Sequence, residues 1–270
     1  ANVEYLDSGT CTAPTIMGSV ANNTWATSNT ITITGGNCAS GVNHYVYCVS
    51  TTGSSSSNCT DWSNTYEEAL NYNTNGTYYI FARAVSNSKP NDTGEGNGIG
   101  TFTVRIDKDT PAAPTITGTT ASGSWATSNT LTISGSSSTS GIQKYEYCDS
   151  TSESSCTGTW NTYTSSMKYN TCGKKYVFAR AINNVPTTGT VSSPYKVFIL
   201  PTTPTITASN SDGEVASDNW STKDVTITIT GTGDTSCVNK YEYCTSTTSS
   251  TSCTSWQTYS QTNKPVITYE

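Results

Sequence analysis

The sequence predicts an all-β protein, a tandem array of antiparallel β-sandwich domains stapled by disulfides. Three observations support this prediction. The motif KYEYC at residues 144–148 and 240–244, and its variant HYVYC at 44–48, recur at a period of about one hundred residues, as repeated domains do. Short segments alternate between polar and apolar residues without helical periodicity. The chain of 270 residues also contains ten cysteines, an even number.

The repeated motifs divide the chain into four segments. Residues 1–10 are expected to be the tail of a preceding repeat or an N-terminal strand, because VEYLD at 3–7 matches VRID at 104–107. Repeats 1, 2 and 3 are residues 11–108, 109–201 and 202–270. Repeat 3 stops before the segments TYYIFARA and KKYVFARA of its sisters. We therefore expect repeat 3 to lack its last two strands, either as a fragment of a longer protein or as a subunit completed by another chain.

Repeat 2 shows the strand pattern most clearly. Strands are predicted at residues 114–118, 124–135, 140–148, near 160–163, at 174–183 and at 195–199. In the third of these, Ile142, Tyr145 and Tyr147 are expected to face inward across a bulge, while Lys144 and Glu146 face water. About seven short strands in one repeat, with turns rich in Gly, Ser and Asn, predict an antiparallel β-sandwich.

The order of the motifs resembles that of a known family. W-x-x-S/T-N-x-x-T-I-T is followed by SGI-x-x-YEY, a Trp, YVFARA-x-N and IDKDTPAAP, an order similar to the bacterial immunoglobulin-like or fibronectin-III-like repeats of secreted and cell-surface proteins. The resemblance covers nearly the whole chain, although its motifs are core and turn residues. It implies a stalk or adhesin module without catalytic residues. Family members usually have Ser where Cys48, Cys148 and Cys244 stand here.

The cysteines predict disulfides, because they lack the short C-x-x-C pairs of structural zinc sites. Three pairs follow from spacing, each closing a loop of about ten residues and contributing roughly 2–3 kcal/mol in the chain-entropy model. They are Cys48 with Cys59, Cys148 with Cys156, and Cys244 with Cys253. Sandwich topology places Cys172 at the far end of repeat 2 and Cys237 at the near end of repeat 3, so we expect them to pair. Cys38 is expected to reach Cys11.

The two junctions between repeats differ in sequence. At the first, Asn75 and Gly141 take the places of the junction cysteines, so we expect linker prolines to limit bending there without locking it, and the second junction to be stiff. Asp107 and Asp109 of the first linker suggest calcium as one hypothesis. The second linker, FILPTTP, has no acid, which favours solvated linkers. No cofactor or metal site is predicted.

Aromatic residues suggest a possible binding face. Six side chains alternate with inward Ala residues and are expected to line the outer faces of two sheets, where they would stack on sugars or on a partner protein. They are Tyr79, Phe81, Arg83, Tyr176, Phe178 and Arg180. Alternatively, the Lys144 stem and a pair between Glu146 and Arg180 cover this face. The six tryptophans recur at fixed positions, which favours core packing over a sugar site.

Composition excludes several functions. Charged residues make up 12% of the chain and the net charge is −6 without a basic stripe, so nucleic acid is not an expected partner. The sequence contains no run of 18 apolar residues, so insertion of this segment into a membrane is not predicted. The single histidine, His44, takes the place of Lys144, which marks a surface position. With no nucleophile beside a base, an enzyme is not predicted.

Three functions remain as hypotheses. The first is a rod-like spacer or stalk on a bacterial surface, secreted and extracellular. The second is an adhesin module that binds a host or matrix glycan or protein through its exposed aromatics. The third is a filament in which the open edge of repeat 3 accepts a strand, such as residues 3–7, from a neighbouring subunit. Further partners would be other copies of the repeat.

Overall fold

A computed structural model describes residues 9–231, 237–246, 253–260, 262 and 264–268. In these ranges the chain is built of strands, with one 3-10 helix at Ser56–Asn58. Two compact units are formed by the segments Ala1–Pro114, Gly135–Glu146 and Arg180–Val191, and by Thr115–Ser134, Tyr147–Ala179 and Ser192–Glu270. None of the described segments forms a helix of the length and apolarity that would cross a membrane.

Repeat 1 forms two sheets. Its strands are β1 Thr15–Gly18, β2 Trp25–Ala26, β3 Asn29–Thr34, β4 Val42–Ser50, β5 Asn64–Tyr66, β6 Leu70–Tyr72, β7 Gly76–Ser86 and β8 Gly100–Ile106. One sheet has the order β1-β3-β6 and the other β2-β8-β7-β4-β5. Neighbours are antiparallel except β2, which runs parallel to β8. This is the strand order of an immunoglobulin-like sandwich. The core contains Ile31, Ile80 and Val104.

Repeat 2 has the same arrangement. Its strands are β9 Thr115–Gly118, β10 Trp125–Ala126, β11 Asn129–Ser134, β12 Ile142–Ser150, β13 Trp160–Tyr163, β14 Met167–Tyr169, β15 Gly173–Asn183 and β16 Tyr195–Ile199. The sheets are β9-β11-β14 and β10-β16-β15-β12-β13. The strand predicted at 124–135 is two strands, β10 and β11, because the chain crosses from one sheet to the other between them. The strand β14 was not predicted, since three residues are too few for alternation to be visible.

Repeat 3 forms a four-stranded and a two-stranded sheet. Its strands are β17 Thr205–Asn210, β18 Gly213–Val215, β19 Val225–Thr230, β20 Glu242–Tyr243, β21 Gln257–Thr258 and β22 Val266–Ile267. The sheets are β18-β17-β19-β22 and β20-β21. Strand β20 has two residues, whereas β4 has nine and pairs with β7 along its length. Among the described residues of repeat 3, no strand takes the place of β7. The proposed donor segment, residues 3–7, lies outside the described residues.

A buried asparagine anchors the start of β3. The Oδ1 atom of Asn29 accepts hydrogen bonds from the Val20 N–H at 3.1 Å and the Ser19 hydroxyl at 3.2 Å, and its Nδ2 donates to the Val20 carbonyl at 3.2 Å. In repeat 2, Asn129 makes the same pair of bonds with the Thr120 backbone, both at 3.1 Å. The Asn of the W-x-x-S/T-N motif therefore ties the loop that precedes each of these strands.

We predict that Asn29→Ala lowers the free energy of unfolding by about 2–4 kcal/mol, because it leaves backbone groups of Val20 without partners. Asn71→Ala is the control. Asn71 is exposed and accepts one hydrogen bond, from the Thr30 hydroxyl at 2.8 Å, so we expect a loss of about 0.5 kcal/mol. Urea denaturation measures both. Equal losses would contradict the anchoring role.

Candidate functional site

The ten cysteines form five disulfides in the structure, so none of them is free. The pairs are Cys11–Cys38, Cys48–Cys59, Cys148–Cys156, Cys172–Cys237 and Cys244–Cys253. The Cys48–Cys59 bridge packs on Phe81, together with Trp62 and Tyr79. This loop therefore builds a second small core on the outer face of the five-stranded sheet of repeat 1.

This small core corrects the predicted binding face. Phe81 is 1% exposed and Phe178 is 4% exposed, so the expectation that they line an open surface is wrong. Tyr79 is half-buried against the Cys48–Cys59 bridge. Tyr176 is half-buried as well, and its ring meets that of Phe198 edge-on at 6.4 Å. In repeat 1 the reason is the stapled loop, whose sulfur atoms cover the ring that strand alternation turns outward.

In repeat 2 the outward arginine is paired. Two nitrogens of Arg180 contact Oε2 of Glu146, Nε at 2.8 Å and Nη2 at 2.7 Å, and the Lys144 ammonium lies 2.7 Å from Oε1. The Glu146 side chain is only 13% exposed, so the prediction that it faces water is wrong. The hydrogen bond from Lys144 lowers the pKa of Glu146, burial raises it, and Arg180 lowers it again, which leaves it below the ordinary value.

In repeat 1 the equivalent arginine lacks this carboxylate. Arg83 is paired across the strands with Val46, which stands at the position of Glu146. Its guanidinium lies 3.8 Å from the ring centre of Trp62, a cation–π contact. Its Nε is buried and makes no hydrogen bond within the described part of the chain. Burial lowers the pKa of Arg83, an effect that the nearby acids Glu95 and Asp92 oppose.

Three of the six tryptophans, Trp125, Trp220 and Trp256, are exposed, contrary to the expectation of core packing. Trp125 is 49% exposed and Trp220 is 100% exposed. Several accept a cation instead: Arg105 lies 5.5 Å from the ring centre of Trp25, and Lys174 lies 5.8 Å from that of Trp125. Trp25 and Trp125 lie on β2 and β10, the edge strands of their sheets, where basic side chains cover the rings in place of a second sheet.

The linker between repeats 1 and 2 is fixed by a buried carboxylate. Asp107 has no solvent exposure. Its Oδ2 atom accepts hydrogen bonds from the Ser138 hydroxyl at 2.6 Å, the Ser140 N–H at 2.8 Å and the Asn183 amide at 3.2 Å. The expectation of a solvated linker is therefore wrong at Asp107, because the loop at 138–140 and Asn183 close over it.

Asp109 and Asn75 extend this network. The Asp109 N–H donates to Oδ1 of Asp107 at 2.8 Å, and its carboxylate accepts from the Thr139 hydroxyl at 2.5 Å and N–H at 3.2 Å. Asn75 donates to the Asp109 carboxylate at 2.5 Å and accepts from the Lys108 N–H at 2.7 Å. The junction clamp is defined here as Asp107, Asp109, Asn75, Ser138, Thr139, Ser140 and Asn183.

The two junctions use equivalent positions with different chemistry. Asn75 aligns with Cys172, and Gly141, directly after Ser140, aligns with Cys237. The second junction is joined by the Cys172–Cys237 disulfide, across 65 residues of sequence. The first is joined by hydrogen bonds to two carboxylates. Besides the prolines that are expected to limit bending, the first junction therefore contains hydrogen bonds that were not predicted.

In the junction clamp, hydrogen-bond donors surround the Asp107 carboxylate. A hydroxyl, an amide and two backbone N–H groups point at the Asp107 carboxylate and occupy its lone pairs, whereas Ca²⁺ needs six to eight free oxygen ligands. Within the described ranges, no group of three or more His, Cys, Asp or Glu side chains is placed to hold a metal. The donor geometry therefore suits the carboxylate itself and argues against the calcium hypothesis.

The clamp also sets the ionisation of Asp107. Burial raises the pKa of this carboxyl, but the Ser138 hydroxyl and the N–H groups of Ser140 and Asp109 together hold its pKa below the ordinary value. The group is therefore charged at neutral pH. A depressed pKa in the folded state means that the charged form contributes stability above the unfolded-state pKa. This contribution is lost as the pH falls through the folded-state pKa.

Comparison with known proteins gives neither a matching family profile nor a matching curated protein. Solved structures do match. The fibronectin(III)-like modules of Clostridium thermocellum CbhA align over 68% of this chain and 93% of theirs, with 14% identity and a TM-score of 0.28. Chicken CNTN1 FN1–FN3 domains and domains A168–A170 from titin each align over 69% of this chain and 66% of theirs, with 13% and 16% identity and TM-scores of 0.27 and 0.35. The immunoglobulin-like fold is assigned from the strand order of the two sheets.

We predict that the free energy of unfolding falls between about pH 5 and pH 2 as Asp107 is protonated. Asp107→Asn should lower stability at pH 7 by about 3 kcal/mol, since the new amide group faces donors, and should flatten the acid limb. Denaturant titrations across this pH range measure both effects. Asp61→Asn is the control, because Asp61 is exposed and Ser63 lowers its pKa. An unchanged acid limb in Asp107→Asn would contradict the assignment.

Proposed function

We propose that this chain is a non-enzymatic, extracellular structural or adhesive protein, a rod-like spacer of three immunoglobulin-like repeats on a bacterial surface. Immunoglobulin-like sandwiches serve in many cell-surface domains. Five disulfides are typical of proteins that work in an oxidising, extracellular compartment. The repeat boundaries at residues 11–108, 109–201 and 202–270 are part of this proposal.

The observation that carries the proposal is that each junction is held at the same place in the repeat. The junction clamp fixes the first, and Cys172–Cys237 bridges the second. A domain array that serves only as a flexible tether has no need of a buried carboxylate with four donors at one junction and a disulfide at the other. An array that must hold its repeats at a fixed angle to one another needs such interactions at its junctions.

The absence of catalysis is also part of the proposal. The one histidine of the chain, His44, takes part in a hydrogen bond of 2.8 Å between its Nδ1 and the Asn43 side chain. Its position corresponds to Lys144, which serves in the ion pair with Glu146. The role that these observations best support for His44 is therefore a polar contact at the protein surface.

We predict that small-angle X-ray scattering gives a radius of gyration of about 30 Å, as expected for three domains of this size in line. A compact globule of 270 residues would have a value of about 18 Å. The distance distribution should have a long tail that does not change between low and high salt. The Asp107→Ala substitution should broaden the distance distribution, because the first junction loses its clamp.

The matched control is Asp92→Ala, which removes a carboxylate of repeat 1 outside the clamp and should leave the scattering unchanged. A radius of gyration near the globular value, or equal distributions for wild-type and Asp107→Ala, would contradict the spacer function.

A further inference from the structure

Repeat 2 has a cavity between its two sheets, at the end where the chain turns from β14 into β15. Its volume is about 350 Å³, at the lower end of the range for small-ligand sites. Strand β14 supplies Met167 and Tyr169, the turn after it supplies Thr171, and β15 supplies Gly173 and Lys175. Residues of β12 and β16 line it as well. We call this space the Lys175 cavity.

The position of Lys175 is occupied by a tyrosine in repeat 1. The segments TYYIFARA and KKYVFARA align residue by residue, which makes Tyr78 the equivalent of Lys175. The strand register agrees, since Tyr78 pairs with Val104 on β8 and Lys175 pairs with Val197 on β16. Tyr78 packs on the core of repeat 1, so both residues lie on the inner face of their strands.

In repeat 1 the tyrosine ring fills the space that is open in repeat 2. The Tyr78 ring centre lies 4.9 Å from that of Tyr72, and the Tyr78 hydroxyl donates a hydrogen bond to the Thr74 carbonyl at 3.0 Å. A methyl group placed on Gly76 would meet the Tyr78 ring at 3.5 Å. One placed on the equivalent glycine of repeat 2, Gly173, would meet nothing beyond its chain neighbours within 4 Å. The lysine of repeat 2 therefore does not take up the volume of the missing phenol.

The walls of the Lys175 cavity retain the contacts that a phenol ring makes in repeat 1. Tyr169 is the equivalent of Tyr72 and provides the ring on which a phenol can pack. Thr171 is the equivalent of Thr74, whose carbonyl accepts the hydroxyl in repeat 1. Met167 adds a thioether, a group that packs favourably on aromatic rings. The cavity thus has the shape and the polar group for a ring that carries a hydroxyl.

Basic side chains at the Lys175 cavity add a preference for an acidic ligand. Lys168 and Lys175 both line the cavity and are exposed, and the Lys175 ammonium lies 5.9 Å from the ring centre of Tyr169. Asp149 lines it too, but its carboxylate accepts a hydrogen bond from the Tyr169 hydroxyl at 2.7 Å. A ligand with a carboxylate at the solvent end of its ring would therefore meet two ammonium groups.

We propose that the Lys175 cavity binds a small phenolic acid, with its ring on Tyr169, its hydroxyl toward the Thr171 carbonyl and its carboxylate toward the exposed lysines. The same chain thus contains a filled form of the site, in which Tyr78 is the built-in phenol, and an open form. This inference does not depend on the spacer function. Scattering tests that function without involving the cavity, so each idea can fail alone.

The test is titration of the full chain with para-hydroxyphenylacetate and with phenylacetate, which lacks the hydroxyl. Binding is followed by NMR at the methyl groups of the two methionines. Met167 lines the cavity, whereas Met17 lies on β1 of repeat 1 and is 50% exposed, so it reports nonspecific contact.

Para-hydroxyphenylacetate should shift the Met167 methyl resonance in a saturable way and leave that of Met17 unchanged. It should bind about fivefold more tightly than phenylacetate, because only the phenol can donate a hydrogen bond to the Thr171 carbonyl.

Two variants connect binding to the cavity. Lys175→Tyr copies repeat 1 and fills the space, so it should keep the fold and weaken para-hydroxyphenylacetate binding at least about tenfold. Lys174→Tyr is the matched control. Lys174 lies on the opposite face of β15, where its ammonium is 5.1 Å from the ring centre of Phe198, so binding should not change. Near-UV circular dichroism checks that each variant is folded, and the wild-type titration decides the matter if Lys175→Tyr is not.

Four results would overturn the proposal. They are the absence of a saturable shift at Met167, undiminished binding by folded Lys175→Tyr, equal binding of the two acids, and binding of a tyrosine-containing peptide without binding of para-hydroxyphenylacetate. The last result would show that a protein side chain, and not a small phenolic acid, occupies the cavity.

Discussion

A charged carboxylate without solvent exposure requires hydrogen-bond donors around it. Asp107 stands directly after β8, and its burial is tolerable only because hydrogen-bond donors replace the water it has lost. Those donors come from three parts of the chain: the linker itself, the loop at 138–140, and Asn183 at the end of β15. Asp107 can make these bonds only when the loop at 138–140 and Asn183 lie against the linker.

Equivalent positions elsewhere in the chain are also held by different kinds of interaction. Repeat 1 ties its own first segment with Cys11–Cys38, at the loop position where repeat 2 uses Ser138 to hold Asp107. The second junction returns to a disulfide, Cys172–Cys237. Equivalent places in the repeats are therefore held by whichever strong interaction the local sequence provides. A carboxylate clamp depends on pH, whereas a disulfide depends on the redox state of the compartment.

Local pattern explains most of what could be predicted from the sequence. Alternation located the main strands of repeat 2, and the loop after each KYEYC motif contains the second cysteine of its pair. What could not be predicted depends on contacts distant in sequence. The linker IDKDTPAAP has the composition of a solvated loop, and the burial of Asp107 comes from residues 31 to 76 positions away. One residue in the sequence did indicate this burial. Asn183 ends the FARA-x-N motif of repeat 2, whereas repeat 1 has Ser86 at the equivalent position.

On the outer faces of the sheets, prediction from the sequence is limited in the same way, by contacts between residues distant in the chain. Strand alternation turns Phe81 outward, and only the path of the stapled loop buries it. The fates of Arg83 and Arg180 differ because one cross-strand neighbour is Val in one repeat and Glu in the other. That difference was visible in the sequence as HYVYC against KYEYC, but its meaning depends on knowing which residues face each other across β4 and β7.

Amide hydrogen exchange at Ser140 and Asp109 tests the junction clamp most directly, because both N–H groups donate to the Asp107 carboxylate. The clamp predicts that both amides are protected at neutral pH and that Asp107→Ala, which removes both acceptor oxygens, speeds their exchange by about a hundredfold or more. Rapid exchange of these amides in the wild-type protein, or equal protection in the variant, would show that Asp107 does not hold the junction.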